Sequence, residues 1–188
     1  MRTATEDGQA FEKRDRPWLN VVLFEPEIAL NTGTIGRSCL AMAAKLWLVR
    51  PLGFRLDEKN LKRSGLDYWK DVDVEVVDDY AAALAGIGET RTWLMTTKGQ
   101  MHHWDACYET GNTLVFGPES RGLPGWLLET RPRADWLRIP MMGETRSLNL
   151  ANAATVAMYE AARQIRPEGL MKAEFRRSLG NRDDLIRE

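Results

Sequence analysis

Leu19 to Arg50 read LNVVLFEPEIALNTGTIGRSCLAMAAKLWLVR, and this stretch decides the fold. Leu19 to Phe24 is an almost continuous apolar run, the pattern of a strand covered on both faces. Glu25 to Leu30 form a loop around Pro26. Asn31 or Thr32 then has the side chain to cap a helix running through Ile35, Cys39, Leu40 and Met42 to about Ala44. Lys45 to Arg50 is a second apolar strand, ended by Pro51. Strand, helix and strand in this order make a βαβ unit, which favours parallel pairing and a right-handed crossover.

The alternation continues down the chain. It predicts a helix over Asp57 to Ser64, a strand over Val74 to Val77, a helix from Asp78 through Leu84 and a strand over Thr92 to Thr96. Thr113 to Phe116 and Trp136 to Ile139 are two further strands, and a helix follows from about Leu148 to Arg163. Strands interleaved with helices give an open, mostly parallel α/β sheet with helices on both faces, whose ligands lie beyond the strand carboxyl ends.

Composition narrows the function classes. The 188 residues, 44% of them hydrophobic, suit one globular domain that buries roughly two-thirds of its unfolded surface. The expected division is a disordered tail over 1–17, a catalytic domain over 18–165 and a charged extension over 166–188. Twenty-six basic residues against twenty-seven acidic ones leave a net charge of −1, so nucleic acid can be held only by a local patch. Lys45, Arg50, Arg55, Lys59, Lys62 and Arg63 offer such a patch, although a solvated helix face is the commoner use of such charges. Cys39 and Cys107 stand in no CxxC pattern, which argues against a disulfide framework and a zinc site. The adjacent His102 and His103 point apart on an extended backbone and make a poor metal clamp. No apolar run spans a bilayer, so the expectation is a soluble, cytoplasmic protein without membrane contact.

Three polar loops each follow an apolar strand. Asn31-Thr32-Gly33-Thr34-Ile35-Gly36-Arg37 opens a helix, where free amides and the macrodipole favour an anion. A cap at Asn31, close packing at Gly33 and a surface ion pair at Arg37 account for it equally. Gly117-Pro118-Glu119-Ser120-Arg121-Gly122-Leu123-Pro124 sets two glycines and two prolines around a Glu and an Arg, a rigid loop that admits close backbone approach. Its Glu119 suits a ribose hydroxyl, or a salt bridge to Arg121 or Arg37. In Ile139-Pro140-Met141-Met142-Gly143-Glu144-Thr145-Arg146-Ser147-Leu148-Asn149-Leu150-Ala151-Asn152, Ser147 suits an N-cap, while two further amide side chains, Asn149 and Asn152, exceed what a cap needs. Met141 and Met142 suit packing. Among the tryptophans, core or dimer packing is the general expectation, with Trp69 and Trp104 as candidates for base stacking.

In order and spacing these loops resemble the three signature motifs of the SPOUT class of S-adenosylmethionine-dependent RNA 2′-O-methyltransferases, over about Leu19 to Arg163. Within the class the likeness is nearest to the small bacterial enzymes that methylate the ribose of the wobble nucleotide, cytidine or uridine 34 of tRNA. Phe24-Glu25-Pro26-Glu27-Ile28, Arg63-Ser64-Gly65-Leu66-Asp67-Tyr68-Trp69 and Thr96-Thr97-Lys98-Gly99 are similar to segments of those enzymes. The resemblance implies a carboxyl-terminal deep trefoil knot, a homodimer and the tRNA anticodon stem-loop as partner. It implies S-adenosylmethionine, released as S-adenosylhomocysteine, held by Met95, Gly117, Ile139, Ser147, Leu148 and Asn152 without a metal. It assigns catalysis to Arg37, with Asn31, Glu119, Ser147 and Asn149 around it. Guanidinium stays protonated in proteins, so Arg37 suits a clamp on phosphate or on a developing alkoxide better than a general base. The alternatives are 2′-O-methylation of another tRNA position or of ribosomal RNA, and a knotted RNA-binding module without catalysis. A phosphate-transfer enzyme is disfavoured because GxxxxGK[ST] is missing after the first strand.

Overall fold

The computed structural model describes residues 16–55 and 67–167. The strands are β1 (Leu19–Phe24), β2 (Lys45–Val49), β3 (Val74–Val77), β4 (Thr92–Met95), β5 (Met101–His102), β6 (Asn112–Phe116) and β7 (Trp136–Arg138). They pair in parallel in the order β3-β2-β1-β6-β4-β7-β5. The helices are α1 (Ala29–Met42), α2 (Tyr80–Ile87), α3 (Gly125–Leu128) and α4 (Leu150–Ile165).

The apolar runs are continuous because each strand feeds two cores. Val21, Leu23, Leu46, Leu48, Leu114 and Phe116 face one side, where Ile35 and Cys39 of α1 meet Ala154 and Met158 of α4. Val22, Phe24, Trp47, Val49, Leu94 and Val115 face the other, against Tyr80 and Ala83 of α2 and Leu127 and Leu128 of α3. Strand residues alternate between the cores, as period-2 geometry requires. On α4 the buried positions Ala151, Ala154, Ala157, Met158, Ala161 and Ala162 recur at helical spacing. Apart from Met158 these are alanines, whose small side chains let α4 approach α1, where the hydroxyls of Ser38 and Thr155 lie 2.9 Å apart. Trp18, Trp47 and Trp93 are buried with their indole N–H groups satisfied by the Met42 carbonyl, Asn20 and Asn112 respectively.

The expected strands over 19–24, 45–50, 74–77, 92–96, 113–116 and 136–139 are present within a residue. Three helix starts differ. Helix α2, expected from Asp78, begins at Tyr80, where the Asp79 carboxylate caps it by accepting from the Ala82 amide at 2.7 Å. Helix α1 begins at Ala29 behind Ile28, which makes no side-chain cap, so neither Asn31 nor Thr32 caps it. The side chain of Asn31 is drawn into a tertiary contact instead. Helix α4 is capped by Asn149, not Ser147, with the Asn149 Oδ1 accepting from the Ala151 and Asn152 amides at 2.8 and 3.4 Å. The two-residue strand β5 is too short for any periodicity to announce. The tail over 1–15, the charged helix expected over 57–64 and the extension from 168 onward lie outside the described residues. Of the proposed basic patch, Lys45 and Arg50 stand at opposite ends of β2 and are paired with Glu75 and Asp78.

Strand β7 lies between β4 and β5, although β4 and β5 are separated in sequence only by residues 96–100. That short link runs against the backbone of β7: a Cβ on Gly99 would sit 2.7 Å from the Trp136 carbonyl oxygen. Beyond β5, His103 is 5% exposed and its Nδ1 has no hydrogen-bond partner among the described residues. Burial holds this imidazole below its ordinary value of 6.5, with His102 acting in the same direction and Glu160, Asp105 and the Arg138 backbone opposing. The folded chain therefore takes up this proton at lower pH than the unfolded chain, and stability is lost as pH falls below about 6.5. Thermal melting from pH 5 to 7.5 should show a rising Tm, and His103→Gln should flatten that rise.

Candidate active site

The carboxyl ends of the central strands carry all three polar loops. After β1 the chain turns sharply, with Glu25 in the left-handed region at φ 48°, uncommon outside glycine. Its amide donates to the Val49 carbonyl at 3.0 Å, which ties the turn to the end of β2. Pro26 and Glu27 follow, and α1 begins two residues later.

After β6 the loop 117–124 folds back on itself. A Cβ on Gly117 would lie 2.3 Å from the Gly122 carbonyl carbon and the Leu123 nitrogen, so only glycine fits. Gly122 adopts φ 66° and donates its amide to the Pro118 carbonyl at 2.9 Å. This tight loop aims Glu119 at the start of α1. Its carboxylate accepts from the Glu27 amide at 2.8 Å, the Ile28 amide at 3.3 Å and the Asn31 side-chain amide at 2.9 Å. The anion expected at this helix terminus is thus supplied by the protein itself.

Asn31 is 7% exposed and uses both ends of its amide. Its Oδ1 accepts from the Asn149 Nδ2 at 2.9 Å, while the Asn149 Oδ1 caps α4. One residue from each loop therefore joins a single chain of hydrogen bonds, Glu119 to Asn31 to Asn149. Glu27 returns the contact, its carboxylate accepting from the Ser120 amide and hydroxyl at 2.9 and 2.7 Å. The Ser120 hydroxyl, then its amide, and the Arg121 cation hold the Glu27 carboxyl below the usual range. Arg121 pairs with Glu25 and Glu27, not with Glu119.

Arg37 stands six positions past Asn31 on α1, about 9 Å along the axis and on a different side of the helix. It is exposed, and its guanidinium carbon lies 4.3 Å above the Tyr68 ring centroid. Among the remaining expected residues, Met95, Gly117 and Ile139 belong together. They terminate or follow β4, β6 and β7, three adjacent strands in which Met95 is in register with both Phe116 and Leu137. Met95, Ile139 and Leu148 are half-buried, whereas Ser147 and Asn152 are exposed. Glu27, Ser120 and Tyr68 received no role from the sequence. A carboxylate just past the end of a buried strand was the available signal for Glu27.

Among the described residues no helix is long and apolar enough to cross a membrane. Residues 18–159 match the SpoU rRNA methylase family. The chain is 44% identical over 161 residues to the tRNA (cytidine(34)-2′-O)-methyltransferase of Yersinia pestis, covering 83% of this chain and 99% of that protein. A solved structure described as giving structural insights into the 2-OH methylation of C/U34 on tRNA aligns with a TM-score of 0.73 at 45% identity, covering 79% of this chain and 96% of that one. The SpoU methyltransferase AviRb of Streptomyces viridochromogenes, solved in complex with its cofactor AdoMet, aligns with a TM-score of 0.69 at 26% identity, covering 79% of this chain and 58% of that one. The chain belongs to the SpoU rRNA methylase family.

The Glu119–Asn31 bond has a donor and an acceptor that can be exchanged. Asn31→Asp sets two carboxylates face to face, and Glu119→Gln removes the charge that serves three donors; each should lower stability by about 1–3 kcal/mol. In the double variant the new amide at position 119 donates to the new carboxylate at position 31. Chemical denaturation of the four proteins should show the double variant losing less than the sum of the singles.

Proposed function

We propose that this SpoU-family chain transfers the methyl group of S-adenosylmethionine to the ribose 2′-oxygen of the wobble nucleotide, cytidine or uridine 34, in the tRNA anticodon stem-loop. The observation that carries the reading is the Glu119–Asn31–Asn149 chain, which draws the three loops together at the strand ends. It occurs in a protein 44% identical to a tRNA position-34 methyltransferase along nearly the whole of that relative.

The neighbouring ends of β6, β4 and β7 suit the cofactor. Gly117 removes a side chain where its loop doubles back, and half-buried Met95, Ile139 and Leu148 offer apolar flanks for an adenine. In this reading Met95, Gly117, Ile139, Ser147, Leu148 and Asn152 hold S-adenosylmethionine. When bound, it would supply an electrophilic methyl carbon, with S-adenosylhomocysteine as the leaving group. Arg37 holds a phosphate or the developing 2′-alkoxide through its permanent charge, while Asn31, Glu119, Ser147 and Asn149 fix the three loops at the strand ends. Because guanidinium stays protonated, the 2′-hydroxyl proton leaves to an acceptor other than Arg37.

The reading extends to the assembly. Strand β7 between β4 and β5, with link 96–100 pressed on its backbone, supports a carboxyl-terminal trefoil knot. Exposed Val156 and Tyr159 on α4 and Ile28 and Leu30 around the start of α1 support a homodimer. Residues 18–165 then form the methyltransferase unit, flanked by the segments 1–17 and 166–188.

Labelled methyl transfer from S-adenosylmethionine to unmodified and native tRNA pools, with nucleosides mapped by mass spectrometry, tests the reading. It expects a 2′-O-methyl group at position 34. Label at another ribose moves the target, and cofactor binding without transfer to any RNA sinks the catalytic reading. Arg37→Ala should lower kcat by about 10²–10³, the scale of losing one preorganised electrostatic contact, and Arg37→Lys should retain an intermediate rate.

A further inference from the structure

We infer that Tyr68 is a positioning residue for the methyl-transfer reaction, setting the direction of the Arg37 guanidinium; the inference rests on the proposed role of Arg37.

An exposed arginine on a helix samples many rotamers, and each side chain that must be ordered costs entropy. Here the guanidinium carbon lies 4.3 Å from the centroid of an aromatic ring, a cation–π contact. The ring beneath it is itself fixed. The Tyr68 hydroxyl donates to the Gly33 carbonyl at 2.9 Å. Gly33 and Arg37 are four positions apart and share one face of α1, so ring and guanidinium are held to the same helix stripe.

A second contact sets the height of the ring above the helix. Tyr68 belongs to a 3₁₀ turn over Asp67–Asp71, and the next residue, Trp69, lies against Gly36. A Cβ at position 36 would come within 2.5 Å of the indole, so the turn docks only because α1 carries glycine there. The Gly33 carbonyl and the bare backbone of Gly36, both within α1, thereby form the seat on which Tyr68 and Trp69 rest. Lys45 and Arg91 also stack on aromatic rings, Trp47 and Trp93, but each pairs with a carboxylate as well, Glu75 and Asp135. For Arg37, the ring of Tyr68 is the partner among the described residues.

The test uses the full chain with Tyr68→Leu, Tyr68→Phe and Arg37→Ala. Proton NMR of the Arg37 Nε–H, assigned through its loss in Arg37→Ala, reads the stacking directly, because a ring face displaces the resonance upfield. Tyr68→Leu should abolish that displacement and lower kcat about tenfold, with the KM for S-adenosylmethionine within about twofold. Tyr68→Phe keeps the ring and loses the hydroxyl, with its bond to Gly33 and its polar contact with Arg37, so it should keep the displacement and most of kcat. An unchanged Nε–H resonance in Tyr68→Leu overturns the inference, as does full activity of Tyr68→Leu when Arg37→Ala is inactive. Full activity of Arg37→Ala overturns the inference together with the role of Arg37 beneath it.

Discussion

The carboxylate of Glu119 is the contact on which the site depends. It lies where three segments of the chain meet, and it accepts from two backbone amides before α1 and from the side chain of Asn31. A buried or half-buried amide leaves no donor idle without cost, so Asn31 in turn binds Asn149, and Asn149 caps α4. Loops far apart along the chain are fixed by one anion and two amides. The geometry that aims Glu119 is itself enforced by Gly117, where the returning loop leaves no space for a side chain.

The sheet explains why these loops can meet at all. A parallel strand delivers its carboxyl end to the same edge as its neighbours, so β1, β6, β4 and β7 present four adjoining loops. Both faces are covered by helices, which leaves that edge as the open rim. The polar loops divide the rim. Near β1 the charged network of Glu25, Glu27, Ser120 and Arg121 is internally satisfied. Toward β4 and β7 the rim is less polar, with half-buried Met95 and Ile139. Arg37 stands apart from both, farther along α1, with Tyr68 of the turn Asp67–Asp71 against it.

Some of this was legible residue by residue. Leu19 to Phe24 and Lys45 to Val49 declared buried strands because a strand serving two cores has no polar face to hide. The repeated strand and helix pattern gave parallel pairing, and the resemblance of three loops selected Asn31, Glu119 and Asn149. Other features were hidden. Asn31 has every attribute of an N-cap, yet it lies inside α1, where Glu119 rather than a local amide engages its side chain. Ser147 and Asn149 are both good caps, and only the pull of Asn31 on the Asn149 amide separates them. Strand β5 is a strand solely because β7 lies beside it.

What the sequence by itself determined are the properties set by neighbours along the chain: where apolar runs make strands, where glycines and prolines tighten a loop, and which side chains carry charge or amide groups. What only the tertiary structure decided are the pairings over long sequence separation. These are Glu119 with Asn31, Asn149 with Asn31, Tyr68 beneath Arg37, and β7 between β4 and β5. The reason is physical. Propensity and periodicity act over one or two turns, whereas a hydrogen bond or a stacked ring goes to whichever partner the completed core brings within reach.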